Sequence, residues 1–311
     1  MAGGITDTPN GDDLEPPVNF MTFSPDGLSL ASGSFESSVV CLWNTATGAL
    51  THTLDGHSRP VNSVTFSPDS RLLASCSGDE TVRLWSLPIG TVQRTLDSQY
   101  GSVHSAAFSC DGRLLALCTD DGRVCLWDLM RGNLCQTFDC HSNSVYSAAF
   151  SFGGILLAAG TDDGRVCIYD LATAALYQTV DAHSDWVSCL AFSTDSRLLA
   201  SWSMDETVCL WALDAGEVSE IWTFEVTDNT SEFSQDGLYL HAGLSPLDVE
   251  MSFTTSVNRD ICIEDGQWIR LDGERILWLP IELRPSRFKI NGNRLALGHA
   301  SGRVSFFQFC I

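Results

Sequence analysis

The segment GHSRPVNSVTFSPDSRLLASCSGDETVRLW, residues 56–85, contains three short apolar runs separated by clusters of turn-forming residues. Each run is rich in Val, Leu, Phe or Thr, and the SPDS and SGDE clusters between them contain the Ser, Pro, Asp and Gly that favour turns. No run is long enough for a helix before a turn cluster interrupts it. The segment therefore predicts three β-strands, and residues 90–96 supply a fourth.

This unit recurs along the chain with a period of 42 residues. The aromatic residues on the repeat grid are Trp43, Trp85, Trp127, Tyr169 and Trp211. An aspartate precedes the aromatic residue by six positions in four repeats, as Asp79, Asp121, Asp163 and Asp205. Because repeats of this size are too small to fold alone, they are expected to stack into one assembly with a shared core.

The regularity of the repeat divides the chain into three parts. Residues 1–17 predict a disordered lead, because they are acidic and poor in strand-forming residues. Residues 18–224 contain five regular repeats, with Ser37 at the turn-aspartate position of the first. Residues 225–311 contain further strand-like runs that depart from the grid, and they predict two irregular units.

These features resemble the WD40-repeat family of β-propellers, in which each unit has a Gly-His near one end, as in Gly56-His57, and a Trp near the other. The resemblance covers residues 18–224. It implies an all-β fold with a single seven-bladed propeller over residues 18–311, provided that the irregular stretch before the last unit is one blade.

The resemblance also implies a hydrogen-bonded network of His, Ser or Thr, Asp and Trp inside a blade. Two repeats contain the full set, as His57, Ser75, Asp79 and Trp85 and again as His183, Ser201, Asp205 and Trp211. In the two repeats between them, Gln99 and His141 occupy the histidine position, and Leu117 and Ala159 occupy the serine position. Because an unpaired buried polar group is costly, the fourth blade, with Ala159 and Tyr169, is predicted to be looser than the other regular blades.

Composition argues against several classes of function. The net charge is −22, with 39 acidic and 17 basic residues, which disfavours nucleic-acid binding and favours a basic partner. No apolar stretch reaches 18 residues, so no membrane span is predicted. The acidic N-terminus is unlike a signal peptide, and the twelve cysteines are interpreted as apolar fillers in a reducing compartment. We therefore expect a cytoplasmic protein.

Two arrangements of residues have the composition of a chemical site. Ser75, His57 and Asp79 could form a hydrolase triad, but an equivalent set recurs 126 residues later, which favours the structural network. Cys135 and Cys140, with the neighbouring histidine, resemble part of a metal site but lack the four ligands of structural zinc. The sequence therefore predicts no enzyme, no metal and no cofactor. The remaining catalytic alternative is an enzyme with an active site at the mouth of the central channel of a propeller.

The partner-binding candidates follow from the propeller resemblance, which places the loops before the first strand and between the second and third strands on one face, here called the docking face. The candidates are Asp120, Asp162, Trp186, Met204, Tyr146, His104 and Trp202. For the two aspartates the alternative is a solvated turn acid, and for Trp202 it is core packing. The expected partner is a protein or peptide, with basic character.

Two C-terminal stretches carry a closer resemblance: DGQWIRLDGERILWLPIELRPS (265–286) and LALGHASGRVSFFQF (295–309). They are similar to the C-terminal WD40 arrays of filamentous-fungal STAND proteins, the NACHT- or NB-ARC-type receptors related to vegetative incompatibility proteins. This resemblance implies a ligand-sensing propeller, either within a larger receptor or as a free-standing derivative. The main alternative is a constitutive scaffold or adaptor subunit, such as those of organelle-fission or ubiquitin-ligase complexes.

Overall fold

The computed structural model describes three long segments, residues 16–87, 89–214 and 217–225. It also describes shorter segments at 231–233, 239–242, 245–248, 261–264, 268–271, 274–278, 287–291, 294–299 and 304–308. The predicted disordered lead falls almost entirely outside the described residues. Within the described part every regular element is a β-strand, so the all-β prediction is confirmed.

The five regular repeats form five four-stranded sheets, each with its strands in chain order. Sheet 1 consists of β1 (Phe20–Phe23), β2 (Ser29–Gly33), β3 (Val40–Asn44) and β4 (Leu50–Leu54). Sheet 2 consists of β5 (Val61–Phe66), β6 (Leu72–Ser77), β7 (Thr81–Ser86) and β8 (Thr91–Asp97). Sheet 3 consists of β9 (Val103–Phe108), β10 (Leu114–Thr119), β11 (Arg123–Asp128) and β12 (Asn133–Asp139). Sheet 4 consists of β13 (Val145–Phe150), β14 (Leu156–Thr161), β15 (Arg165–Asp170) and β16 (Ala175–Asp181). Sheet 5 consists of β17 (Val187–Phe192), β18 (Leu198–Ser203), β19 (Thr207–Asp214) and β20 (Glu217–Glu225).

The remaining described strands form three three-stranded sheets. Sheet 6 consists of β21 (Ser231–Phe233), β22 (Tyr239–Ala242) and β23 (Ser245–Asp248). Sheet 7 consists of β24 (Ile261–Glu264), β25 (Trp268–Leu271) and β26 (Glu274–Trp278), and sheet 8 of β27 (Arg287–Asn291), β28 (Arg294–Gly298) and β29 (Val304–Gln308). The stretch that was expected to form one irregular blade thus contains two separate sheets. The blade count of seven is therefore not confirmed, since the described residues form eight sheets.

The SPD sequence explains the tight turn between the first two strands of a sheet. In sheet 2 the Ser67 hydroxyl donates to Asp69 Oδ1 over 2.6 Å, and the backbone N–H of Leu72 donates back to Ser67 Oγ over 2.9 Å. Asp69 also accepts from the backbone N–H of Arg71. These bonds satisfy the polar groups of the turn locally, so the reversal forms wherever the Ser-x-Asp pattern recurs.

The chain divides into two compact units, each described here by itself. The first contains residues 1–96 and 254–311, and the second contains residues 97–253. In the second unit the first strands of sheets 3, 4 and 5 lie beside one another, so residues 42 apart in sequence become neighbours. Phe138, Phe150, Leu157 and Tyr169 fill the core between sheets 3 and 4.

In the first unit, the N-terminal repeat packs against the C-terminal one. The rings of Trp43 and Phe306 lie 6.4 Å apart, and the backbone N–H of Val18 donates to the carbonyl of His299 over 3.2 Å. Leu30 and Val304 are buried in the same cluster. Sheets 1 and 8 are therefore neighbours, although their residues lie at opposite ends of the sequence.

Candidate functional site

A chain of four polar side chains crosses the interior of sheet 2. Trp85 Nε1 donates to Ser75 Oγ over 2.8 Å, and Ser75 Oγ lies 2.7 Å from His57 Nε2. On its other side His57 Nδ1 lies 2.9 Å from Asp79 Oδ2. Since an indole N–H only donates and a carboxylate only accepts, the chain runs from Trp85 through Ser75 and a neutral His57 to Asp79.

Sheet 5 repeats this arrangement. Trp211 Nε1 donates to Ser201 Oγ over 3.0 Å, and His183 Nε2 lies 2.8 Å from the same oxygen. His183 Nδ1 then lies 3.3 Å from Asp205 Oδ2 and 2.9 Å from Thr207 Oγ1. Ser75 and Ser201 are both fully buried, which keeps their hydroxyls out of reach of a substrate. The structure therefore supports the network and gives no support to the hydrolase triad.

The electrostatics of the network match these protonation states. Burial lowers the pKa of His57 and of His183, which keeps both rings neutral. Burial alone would raise the pKa of Asp79, but hydrogen bonds from Thr81, the Ser58 backbone and His57 outweigh it and lower that pKa to about 2. The carboxylate thus remains ionised and can accept bonds from every donor around it.

Stability is expected to fall as the pH decreases below about 6.5, because the histidines then bind protons more readily in the unfolded chain. Their contribution is complete above the usual pKa of 6.5 and is lost progressively below it. Protonation of Asp79 causes a second loss of stability as the pH falls from 3.8 toward about 2, because its pKa is lower in the folded protein. Urea unfolding across this range measures both losses. His57→Gln should flatten the upper part of the profile, and a wild-type profile that is already flat there would contradict the prediction.

Sheets 3 and 4 use a different arrangement, although they occupy the same repeat grid. Gln99 and His141 adopt left-handed backbone conformations, with φ of 60° and 52°, and the His141 side chain is 79% exposed. The turn aspartates pair with arginines instead: Asp121 with Arg123, and Asp163 with Arg165, whose Nε lies 2.7 Å from Asp163 Oδ2. His141 thus occupies the histidine position of the repeat but does not enter the interior of its sheet.

Tyr169, on which the prediction of a looser fourth blade rested, is not left without a hydrogen-bond partner. The Tyr169 hydroxyl donates to the Asp139 carbonyl over 2.9 Å and lies 3.4 Å from Cys140 Sγ, so it has partners despite Ala159. Among the described aromatic residues on the repeat grid, the unsatisfied indole belongs to sheet 3, where buried Trp127 Nε1 has no hydrogen-bond partner. The missing hydroxyl at Leu117 thus leaves a polar group unpaired in sheet 3, whereas the tyrosine in sheet 4 reaches a backbone carbonyl.

Equivalent backbone bonds build the docking face of the second unit. In sheets 3, 4 and 5, a backbone N–H in the turn between the second and third strands donates over 3.1 Å to the carbonyl of the residue just before the first strand. The donors are the N–H groups of Asp120, Asp162 and Met204. The acceptors are the carbonyls of Ser102, Ser144 and Trp186. Each turn between the second and third strands is therefore tied to the segment before the first strand of its own sheet, as the sequence analysis expected.

Three candidate side chains meet in what we call the aromatic row. The rings of His104 and Tyr146 stack with centroids 4.5 Å apart, and Tyr146 and Trp186 meet edge to face at 4.5 Å. All three side chains are half-buried. The row thus links the inner edges of sheets 3, 4 and 5 through side chains that come from three different repeats.

Two carboxylates flank the aromatic row. Asp120 is exposed, and its Oδ1 lies against the Cα of Gly101, where a Cβ would collide. Asp162 accepts a 3.2 Å bond at Oδ2 from Asn143 Nδ2, while its buried Oδ1 has no partner among the described residues. Burial raises the pKa of Tyr146, and the charges of Asp162 and Asp120 add to this shift. Both carboxylates therefore act electrostatically on the same ring.

Comparison with known proteins agrees with this architecture. The family model "WD domain, G-beta repeat" matches residues 9–44 and 48–86. A β-propeller model, "Nucleolar protein 10-like, N-terminal domain", matches residues 71–251, which is more than half of the chain. The chain belongs to the WD40-repeat β-propeller family and contains a nucleolar protein 10-like propeller domain.

A partial match to a fungal protein accompanies these family matches. Vegetative incompatibility protein HET-E-1 of Podospora anserina is 35% identical over 85 residues. The match covers 25% of this WD40 chain and 6% of HET-E-1, so the chain corresponds to a small part of that relative's length.

Trp202 does not belong to the docking face of this WD40 protein. It is fully buried and packs in a cluster with Leu198, Ala200, Val208 and Leu210. Every residue of β18 is buried, so the second strand of this sheet has no side that faces a partner. The alternative of core packing was therefore correct, and Trp202 is removed from the candidates. Met204, which follows two positions later in the turn, is 41% exposed and remains.

Sequence reasoning missed two polar residues. Asn143 holds Asp162, but nothing in the repeat grid distinguishes it from an ordinary loop residue. Ser32 accepts a 2.8 Å bond from Trp43 Nε1 and so completes part of a network in sheet 1. It precedes its tryptophan by 11 residues, whereas Ser75 precedes Trp85 by 10, so a fixed-spacing search did not detect it.

The other chemical candidates do not form a site in the described residues. Cys140 is buried while His141 points outward, so they do not converge, and no group of three or more potential metal ligands occurs in the described part. The ten cysteines described there are free thiols. Over the same residues, no helix has the length and apolar character required to cross a membrane.

Proposed function

We propose that this WD40 protein is a non-catalytic interaction module whose docking face binds a protein or peptide. The observation that carries this proposal is the aromatic row, in which His104, Tyr146 and Trp186 contact one another across three sheets. Partly exposed aromatic residues of this kind are typical anchors of protein interfaces, because they bury a large area with little loss of conformational freedom.

The strands beneath the aromatic row hold its side chains on a fixed backbone. Val103, Val145 and Val187 begin the first strands of sheets 3, 4 and 5, and each is fully buried. The side chains next to them therefore project from fixed backbone, and binding requires little ordering of the protein. The net charge of −22 further favours a basic partner through long-range attraction.

Two roles for such a module have support. The partial match to HET-E-1 favours the sensing propeller of a STAND-type receptor, acting in the cytoplasm. The nucleolar protein 10-like match favours a second candidate, a scaffold subunit of a nucleolar assembly. A fluorescent-protein fusion distinguishes them: accumulation in nucleoli supports the scaffold, and a cytoplasmic signal excluded from nucleoli supports the sensor.

Photo-crosslinking tests the docking face directly. A photoreactive amino acid at Ser144, next to the aromatic row, should crosslink a discrete partner that mass spectrometry identifies. The combined variant Asp120→Lys, Asp162→Lys and Trp186→Ala should abolish that crosslink while leaving the far-UV circular dichroism spectrum unchanged.

The matched control is Glu220→Lys, which changes an exposed acid on β20, the outermost strand of sheet 5. This variant should retain the partner. Undiminished crosslinking of the same partner by the triple variant would show that the assigned face is wrong.

A further inference from the structure

We infer that the docking face contains a site for one arginine side chain of the partner, formed by Asp120, Asp162, Tyr146 and Trp186. This inference rests on the proposed function, because it names the chemistry that the same face recognises. It predicts one specific contact, which long-range attraction between this acidic protein and a basic partner would not require.

Asp162 has a carboxylate that is only partly satisfied. Its Oδ2 is held by Asn143, whereas its Oδ1 is buried and unpaired within the described residues. A buried carboxylate oxygen without a donor is unfavourable, since burial removes its water and nothing replaces the lost hydrogen bonds. Because Oδ1 is enclosed, a partner cannot bond to it directly, but a positive charge placed beside the carboxylate would offset its negative charge.

His104, which stacks on Tyr146, adds no positive charge to the face. His104 Nε2 is also buried without a partner in the described part, and burial lowers the pKa of this histidine so that the ring is neutral. A neutral imidazole does not repel an approaching cation. The aromatic row thus has two carboxylates beside uncharged rings, and neither carboxylate forms an ion pair within the described residues.

The ring surface beside the carboxylates favours arginine over lysine. A planar guanidinium stacks on aromatic rings and offers five N–H donors in a fixed fork, whereas an ammonium is a compact and strongly hydrated charge. Tyr146 and Trp186 provide half-buried ring surface beside the carboxylates, so the site suits a group that stacks and donates at once. The same protein shows this pairing internally, where the Arg123 guanidinium lies 5.0 Å from the centre of the Tyr100 ring and pairs with Asp121.

The test uses a library of short random peptides selected on the full chain and counter-selected on the triple variant described above. We expect the selected peptides to share one arginine. Replacing that arginine with citrulline, which keeps the shape but removes the charge, should weaken binding at least about tenfold. Lysine at that position should bind more weakly than arginine, and added salt should weaken the wild-type complex.

Two protein variants complete the test. Asp120→Asn combined with Asp162→Asn should lower the preference for arginine over citrulline to about twofold or less, because the charge pair is lost. Tyr146→Leu should weaken binding of arginine and lysine peptides unequally, with the larger loss for arginine. Glu220→Gln on the outer strand is the control and should leave both affinities unchanged.

The possible outcomes separate this inference from the proposed function. Peptides that need the docking face but bind equally well with citrulline or an apolar residue would overturn the arginine site and leave the interaction module intact. Lysine bound as tightly as arginine would also overturn it, because the stacking argument would fail. A selection that yields no peptide dependent on this face would overturn both proposals.

Discussion

Asp79→Ala is expected to lower the free energy of unfolding by about 3–5 kcal/mol, because this side chain satisfies four donors in the interior of sheet 2. Its Oδ2 lies 2.9 Å from both His57 Nδ1 and the Ser58 backbone nitrogen. Its Oδ1 accepts from the Thr81 hydroxyl over 2.6 Å and from the Thr81 backbone over 3.1 Å. The side chain is only 7% exposed, so water cannot readily replace it.

Equilibrium unfolding in urea measures this loss. The control is Asp120→Asn, which changes an exposed turn acid at the position before the turn aspartate in sheet 3 and should alter stability by about 0.5 kcal/mol or less. A double variant of Asp79→Ala with His57→Leu should lose less than the sum of the single losses, since the two side chains share one network. Full additivity would contradict the network.

Gly122→Ala is expected to destabilise the protein by about 2–4 kcal/mol, for steric and conformational reasons together. Gly122 has φ of 81°, a left-handed conformation that costs least for glycine. An added Cβ would also collide with the Ser142 carbonyl, which is backbone and cannot rotate away. The Gly122 carbonyl accepts from Cys140 over 3.0 Å, so the two segments are held together at this point.

The matched control is Glu80→Gly at the equivalent turn of sheet 2, where φ is 69° and the side chain is exposed. Because the Glu80 side chain is exposed, it fits at that turn, and the change to glycine should alter stability by about 1 kcal/mol or less. Thermal and urea unfolding of both variants provide the measurement. If Gly122→Ala lowered stability no more than the control, the backbone at Ser142 would not be packed against Gly122 as the structure shows.

These two predictions reflect two kinds of regular sheet. Sheets 2 and 5 have the turn sequence DET and a histidine folded inward, whereas sheets 3 and 4 have DDGR and a histidine or glutamine turned outward. In the second kind the segment that leads into the next sheet lies against the turn glycine, with Ser142 at Gly122 and His183 at Gly164. The arginine that follows the glycine pairs with the turn aspartate. The Arg165 guanidinium also donates to the His141 carbonyl over 2.9 Å, which stabilises the outward conformation.

The sequence determined the strands, the turns and two internal networks of this protein. These features depend on residues within one repeat, so the resemblance to the WD40 family implied that His57, Ser75, Asp79 and Trp85 are partners, and the structure pairs them. The Ser-x-Asp turns and the all-β class follow from the same local chemistry. Where the local set was incomplete, as at Leu117 and Ala159, the sequence showed that a bond was missing but not which group would replace it.

Only the tertiary structure decided how residues from different repeats meet. His104, Tyr146 and Trp186 contact one another because the first strands of sheets 3, 4 and 5 lie side by side, and no spacing within a repeat encodes those ring distances. The same packing buries Trp202. The outward turn of His141 likewise depends on the tyrosine hydroxyl and Cys140 filling the interior in its place. Burial and contact between sheets are properties of the assembled core, so a residue's type and position in the repeat did not determine them.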